Sequence, residues 1–399
     1  MTQGTSSRLA IAGGRPVREE LLPYGRHTID DDDVAAVVAS LRSGWLTTGP
    51  KISEFEKAFA KVVGASDAVA LSSGTAALHV AIHSLDLEAD DEVLVPALTF
   101  VATANAVLYC GGKPVFVDIR RDDLLIDPDA LQSAVTPRTR AILAVDFAGH
   151  PCDYDRLLKL ANEQKLTVVA DSCHALGATY GGRAVGSLVD LTVFSLHPVK
   201  HITTGEGGMV TVDDPSTASR LRRFRNHGID RDHHSRSASS SWLYDMVELG
   251  FNYRISDLQC ALGTSQLRKL EAWIEHRRAM AKLYDEALDN LPKVRPLSRS
   301  PAVEHAYHLY VVELIDPAAR QHRGEIFAAL RAEGIGVNVH YRPVYLHSHY
   351  RRLGFEPGLC PIAEEVYEGI LSLPIHHGMT EADAQDVVVA LEKVLAHSW

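Results

Sequence analysis

Lys200 and Asp171 are the residues of this 399-residue chain whose types and positions speak most directly of chemistry. Lys200 lies in Phe194-Ser195-Leu196-His197-Pro198-Val199-Lys200-His201, just past a short apolar run and ahead of the turn Thr203-Thr204-Gly205-Glu206-Gly207-Gly208. Most lysines are solvated surface groups. One that is desolvated near other cationic groups loses proton affinity and becomes a nucleophile and general base. Asp171 opens Asp171-Ser172-Cys173-His174-Ala175-Leu176-Gly177, directly after the apolar run 167–170. A carboxylate at the carboxyl end of a strand faces the ligand side of a sheet. Beside a pyridine nitrogen it keeps that nitrogen protonated and the ring an electron sink. As a helix N-cap it would do no chemistry, and the residue alone does not separate the two readings.

Two further segments are weaker by themselves. Ser72-Ser73-Gly74-Thr75-Ala76-Ala77-Leu78 follows one apolar run and opens a helix. The free N–H groups and dipole of such a terminus suit a phosphate, and small residues let the backbone approach it. A plain cap is the commoner meaning of that pattern. Ser195 is placed to meet a phosphate oxygen. Phe100, in Pro96-Ala97-Leu98-Thr99-Phe100, is an aromatic at a strand end that could stack on a flat ring, or simply pack into the core.

The elements that must position these residues follow from periodicity. Asp30 to Asp33 open a first helix with Val34, Val37, Val38 and Leu41 on one face and Gly44 as its stop. A second helix aligns Phe55, Phe59, Val62 and Val63 ahead of Gly64. Strands are expected at 68–71, 92–95, 115–118, 141–145, 167–170, 191–195 and 209–212, with helices among them at 74–85, 99–110 and 153–164. Several of these strands are nearly continuous apolar runs, as in sheets covered on both faces. The alternation predicts an α/β fold with a mostly parallel sheet of about seven strands, and ligands bind outside the carboxyl ends of such strands. A long helical stretch over 253–291 leads to a smaller C-terminal α+β domain with strands near 308–315 and 336–341 and a closing helix from Thr380. The expected division is an N-terminal arm (1–25), a large domain (26–270) and a small domain (271–399). Residues 231–241 are polar and aperiodic and are expected to form a loop.

Composition sets outer bounds. Forty basic against 51 acidic side chains give a net charge of −11, which argues against a nucleic-acid partner. Five scattered cysteines form no CxxC pair, so neither a disulfide framework nor a thiolate metal site is expected. The adjacent pairs His233–His234 and His376–His377 point to opposite sides of an extended chain and are expected to be loop or packing residues, so no metal is expected. No apolar run approaches the roughly 18 residues of a membrane span, and the polar N-terminus lacks the core of a secretory signal. A cytoplasmic protein is expected.

Taken together, the segments resemble the fold-type I sugar aminotransferases of the DegT/DnrJ/EryC1/StrS family, which use pyridoxal 5'-phosphate (PLP). The likeness covers roughly residues 22–395 and is carried by GWLTTGPKISEFE (44–56), SSGTAALH (72–79), PALTFVATANAV (96–107), DSCHALGA (171–178), FSLHPVKHITTGEGG (194–208), GFNYRISDLQCALG (250–263) and VHYRPVY (339–345). The resemblance implies that Lys200 carries the cofactor as a Schiff base and shuttles protons, and that Asp171 pairs with the ring nitrogen. It implies that His174 sits near the cofactor's phenolic oxygen, where many relatives have glutamine, and that Phe100 stacks on the ring. Ser73, Gly74, Thr75 and Ser195 would hold the phosphate. Asn252 would reach the phosphate of a neighbouring subunit, which implies a homodimer with shared active sites.

Within the family, VDFAGHP (145–151), HPVKHITTGEGG (197–208) and LSLPIHH (371–377) are most similar to the pseudaminic acid branch. Its members move the amino group of L-glutamate to C4 of a UDP-linked 4-keto-6-deoxy-N-acetylhexosamine in a ping-pong cycle. Pro198, His201 and the serine-rich 231–241 segment depart from that pattern and leave the sugar open. Arg254, Arg342 and, more weakly, Lys51 are candidates for the nucleotide diphosphate, with surface ion pairs as the alternative. Tyr341 and Tyr345 are candidates for sugar or uracil contact, with core packing as the alternative. Other readings are amination of another 3- or 4-keto sugar, a PLP sugar dehydratase (where histidine replaces the lysine) and an inactive cofactor- or sugar-binding regulator.

Overall fold

A computed structural model describes residues 8–230 and 242–397; the expected 231–241 loop, with His233 and His234, lies outside the described residues. The seven expected strands form one sheet: β1 (Asp67–Leu71), β2 (Glu92–Pro96), β3 (Lys113–Val117), β4 (Thr139–Val145), β5 (Thr167–Asp171), β6 (Leu191–Ser195) and β7 (Gly208–Val212). Their order is β1-β7-β6-β5-β4-β2-β3. β7 runs antiparallel to both its neighbours, and the other pairings are parallel. Every residue of β2 and of β7 is buried, which is why their sequences do not alternate. This is the fold-type I architecture that the sequence leads one to expect.

Helices cover the sheet. Those that bear on the cavity or on the expectations above are α1 (Asp31–Arg42), α2 (Pro50–Val63), α3 (Gly74–His83), α4 (Val101–Tyr109), α5 (Asp257–Leu267), α6 (Leu270–Leu288) and α7 (Glu381–Leu395). Their starts are chemically marked. The Ser73 side chain accepts from Ala76 N–H at the head of α3, and Ser256 with Gln259 and Thr380 with Asp383 form reciprocal capping boxes on α5 and α7. The helical stretch expected over 253–291 is two helices, broken at Arg268–Lys269.

A second core joins α6, α7 and a three-stranded antiparallel sheet, β8 (Val294–Pro296), β9 (Tyr310–Leu314) and β10 (Ile370–Leu373). Leu9 and Leu22 belong to it, so the N-terminal segment packs on this part of the molecule; Leu22 N–H donates to Gly334 O at 2.9 Å.

Three expectations are corrected. No strand forms at 336–341; those residues make one bridge, Asn338 to Ser372, and then turn into a cavity wall, while the third strand of the small sheet comes from 370–373. The face of α1 that turns inward is polar. Asp33 and Ser40 are buried, while Val34 and Leu41 stay about half exposed, because Asp33 is held by Lys269 (2.9 Å) and Gln266 (2.5 Å) on the packed side. On α2, Phe55, Phe59 and Val63 are buried but Val62 is exposed. No described helix is long and apolar enough to cross a membrane.

Candidate active site

The carboxyl ends of β1, β2, β5 and β6 lie on one edge of the sheet, and a cavity of about 910 Å³ opens there. Its sheet-side wall carries Ser73, Gly74 and Thr75 after β1, Phe100 after β2, Asp171 and His174 at the end of β5, and Ser195 and Lys200 at the end of β6. The opposite wall carries His308 and Asn338 to Arg342. Strand pairing makes the first wall: Asp171 registers with Val193 of β6, and Gly208 of β7 registers with both Ser195 and Leu71.

Lys200 is held at the end of the turn after β6, its N–H donating to His197 O at 2.9 Å. Its Nζ lies 3.3 Å from Nε2 of His308. Burial pushes the Lys200 amine below the usual lysine range, and Cys173 and Asp171 oppose that only in part. Asp171 is 5% exposed, and its two oxygens accept from different donors: Thr103 Oγ1 at 2.7 Å and Cys173 N–H at 3.2 Å.

Burial, reinforced by the charge of Lys200, holds His174 far below the usual imidazole range, so it is neutral. Its Nδ1 accepts from Ala148 N–H (3.3 Å), which puts the ring proton on Nε2. That nitrogen meets the Tyr341 hydroxyl at 3.3 Å. His308 packs 4.4 Å from His174 between ring centres and is likewise held neutral by burial; its Nδ1 is buried and unpartnered.

PLP fits this donor set. At the head of α3, Ala76 N–H is used by Ser73 Oγ and Ala77 N–H by Ser73 O, leaving those of Gly74 and Thr75 for an anion. The backbone there is bare by necessity. A Cβ on Gly74 would lie 2.9 Å from Ser195 Cβ, and one on Gly208 would lie 2.3 Å from Ser73 O. A phosphate at this cradle, a ring flanked by Phe100 and a nitrogen at Asp171 use the cavity's own groups.

Ten of the residues singled out in the sequence therefore meet in one cavity: Ser73, Gly74, Thr75, Phe100, Asp171, His174, Ser195, Lys200, Tyr341 and Arg342. Phe100 is half exposed to the cavity and is no core residue. Tyr345 is corrected: it is fully buried in the core, its hydroxyl engaged by Glu364 and by Cys360 N–H (3.1 Å), and it cannot touch a substrate. Lys51 lies outside the cavity on α2, paired with Glu54 at 2.6 Å. Arg254, which donates to Asn226 at 2.7 Å, and Asn252 are also outside it within one chain. His376 is buried, and His377 stacks on Trp273 at 4.0 Å. His308 and Thr103 escaped sequence reading. Thr103 carried a faint signal, standing one helical turn after Thr99 and three residues after Phe100; His308 meets Lys200 only through the tertiary fold.

Comparison with known proteins gives a consistent result. The model of the DegT/DnrJ/EryC1/StrS aminotransferase family matches residues 27–392. The chain is 39% identical to the spore coat polysaccharide biosynthesis protein SpsC of Bacillus subtilis over 382 residues, 95% of this chain and 98% of that one. Spr1654 from Streptococcus pneumoniae, solved in its PMP form, superposes with a TM-score of 0.89 at 33% identity, covering 93% of this chain and 98% of that one. Helicobacter pylori PseC, an aminotransferase involved in the biosynthesis of pseudoaminic acid, superposes with a TM-score of 0.89 at 31% identity, covering 94% and 100%.

Proposed function

The chain belongs to the DegT/DnrJ/EryC1/StrS aminotransferase family, its cofactor is PLP, and we propose that it transfers the amino group of L-glutamate to C4 of a UDP-linked 4-keto-6-deoxy-N-acetylhexosamine. The observation that carries the reading is the meeting of Lys200, whose amine desolvation pushes below the usual lysine range, with Asp171 in one large cavity. A sugar acceptor is supported by the likeness to SpsC and PseC, the first named for polysaccharide and the second for pseudoaminic acid biosynthesis. A nucleotide diphosphate is supported by Arg342, which lines the cavity and, among the described residues, has no carboxylate partner.

When bound, PLP supplies a protonated ring that stabilises negative charge on the carbon next to the reacting nitrogen. The chain's own residues do the rest. Lys200 holds the cofactor, then as a free amine takes the proton from the α-carbon of glutamate and, in the return half-cycle, delivers one to C4 of the sugar. Asp171 holds the ring nitrogen's proton. His174 offers its Nε2–H to the phenolic oxygen, Phe100 supplies an aromatic face, and Ser73, Gly74, Thr75 and Ser195 hold the phosphate. A lysine at position 200 favours transamination over sugar dehydration.

The active unit is a homodimer in the cytoplasm, and each chain divides into an arm (1–25), a large domain (26–270) and a small domain (271–399). Exposed apolar residues such as Val34, Leu41, Trp242 and Leu249 support a second copy, against whose cavity Asn252 and Arg254 would act. Five free cysteines suit a reducing compartment.

The test is to mix PLP-loaded protein with L-glutamate and follow its spectrum. Loss of the visible band of lysine-bound cofactor supports the donor. Restoration of that band by one of a panel of UDP-linked 3- and 4-keto sugars identifies the acceptor. A spectrum that no amino donor alters would leave a dehydratase or an inactive binder.

A further inference from the structure

Thr103 is fully buried, and its hydroxyl is committed to Asp171. It donates to Oδ2 at 2.7 Å, and the Thr99 hydroxyl stands 2.8 Å behind it. Thr99 and Thr103 are four residues apart across the start of α4, whose N-cap is Phe100. One helix start thus provides an aromatic of the cavity and grips the Asp171 carboxylate. With Cys173 N–H on Oδ1, the two donors fix the carboxylate plane from both sides.

We propose that Thr103 is a positioning residue that aims Asp171 and keeps the shared proton on the cofactor's ring nitrogen. This rests on the reading that Asp171 faces that nitrogen. The argument is electrostatic. In a dry pocket, a carboxylate with no donors of its own takes up a proton, and hydrogen bonds donated to it favour its charged form. A carboxylate held ionised leaves the proton on the ring. Without the Thr103 hydroxyl the carboxylate can turn and accept that proton, the ring becomes neutral, and its capacity as an electron sink falls.

The test compares Thr103→Val, which keeps the shape and loses the hydroxyl, with Thr103→Ser, which keeps the hydroxyl, and with Asp171→Ala. Each holoenzyme is loaded with PLP labelled with nitrogen-15 in the ring, and the nitrogen shift is followed by NMR against pH. The glutamate half-reaction is timed alongside. Wild type and Thr103→Ser are expected to hold the pyridinium shift together. Thr103→Val is expected to lose it at lower pH and to slow the half-reaction about ten-fold, the scale of one hydrogen bond to a charged group. A Thr103→Val nitrogen titration matching wild type, with Asp171→Ala altered, overturns the role of Thr103 alone. A titration unchanged in Asp171→Ala overturns the reading of Asp171 and the proposal with it.

Discussion

The two walls of the cavity are built on different principles. The sheet-side wall is made of strand ends: each functional group sits within a few residues of the point where β1, β2, β5 or β6 stops, and strand register fixes neighbours. The opposite wall is made of loop, 338–342, and of His308, which precedes β9 by two residues. Its groups are placed by how the small sheet docks. On the proposed reading, the phosphate cradle, the ring-nitrogen partner and the lysine all fall on the wall of strand ends, while the groups that would face the sugar fall on the wall of loop.

The sharpest way to break this contrast is Lys200→Ala. If the chemistry resides in the sheet-side wall, the variant loses the glutamate half-reaction by at least about 10³-fold, while folding and the circular dichroism spectrum are kept. A residual rate within ten-fold of wild type would mean that another base, His308 being nearest, does the work.

The second test goes one layer behind that wall. Asp146 N–H donates to Asp171 O at 3.1 Å, and the Asp146 carboxylate is buried beneath, accepting from Ser172 Oγ (2.6 Å), Cys152 N–H (2.8 Å) and Tyr154 OH (2.9 Å). Burial outweighs these donors and raises its pKa to about 6 from 3.8. A native state that keeps a proton the unfolded chain gives up is favoured below the unfolded pKa, and that stability is lost as pH rises through about 6. Asp146→Asn lacks this dependence. In urea melts of the cofactor-free protein, the advantage of wild type over Asp146→Asn is expected to shrink by up to roughly 3 kcal/mol between pH 4 and pH 7. An advantage that is flat with pH would place Asp146 in the ordinary carboxylate range.

Much of the first wall is legible in the sequence because strands buried on both faces announce themselves as apolar runs, and groups just past their ends fall on the ligand edge by topology. The sequence leaves Tyr345 between substrate contact and core packing because nearness to Tyr341 and Arg342 says nothing of direction: two residues beyond Pro343 the chain re-enters the core, where Tyr345 meets Phe116 at 5.5 Å. The interior face of α1 is not legible locally because an ion pair and an amide, supplied by Lys269 and Gln266 from far along the chain, make burial of Asp33 cheaper than local hydropathy implies. His308 is illegible for the same reason, since no spacing links it to Lys200.

The loop wall is tested by Arg342→Ala. It is expected to raise KM for the UDP-linked sugar about ten-fold or more, as for loss of a charge-assisted contact, and to leave the glutamate half-reaction within about two-fold. A loss shared equally by both half-reactions would assign Arg342 to the donor carboxylate or the cofactor, and the division between the walls would fail at that residue.

The smallest expected effect lies where the walls touch, at His308 and Lys200. The two nitrogens are 3.3 Å apart, and what the contact does depends on whether the imidazole is charged. A charged ring would drive Lys200 further down; a neutral ring that accepts a hydrogen bond from the ammonium would hold it slightly up. Burial keeps His308 well below its usual range, so the neutral case is expected. His308→Phe should then lower the Lys200 pKa modestly and change the half-reaction only a few-fold. The pKa can be read in the cofactor-free protein from the pH dependence of Lys200 acylation by acetic anhydride, followed by peptide mass spectrometry. A fall supports a neutral acceptor. A rise of about a unit would mean that His308 carries charge in the native site, and that the second wall tunes the lysine it was supposed only to face.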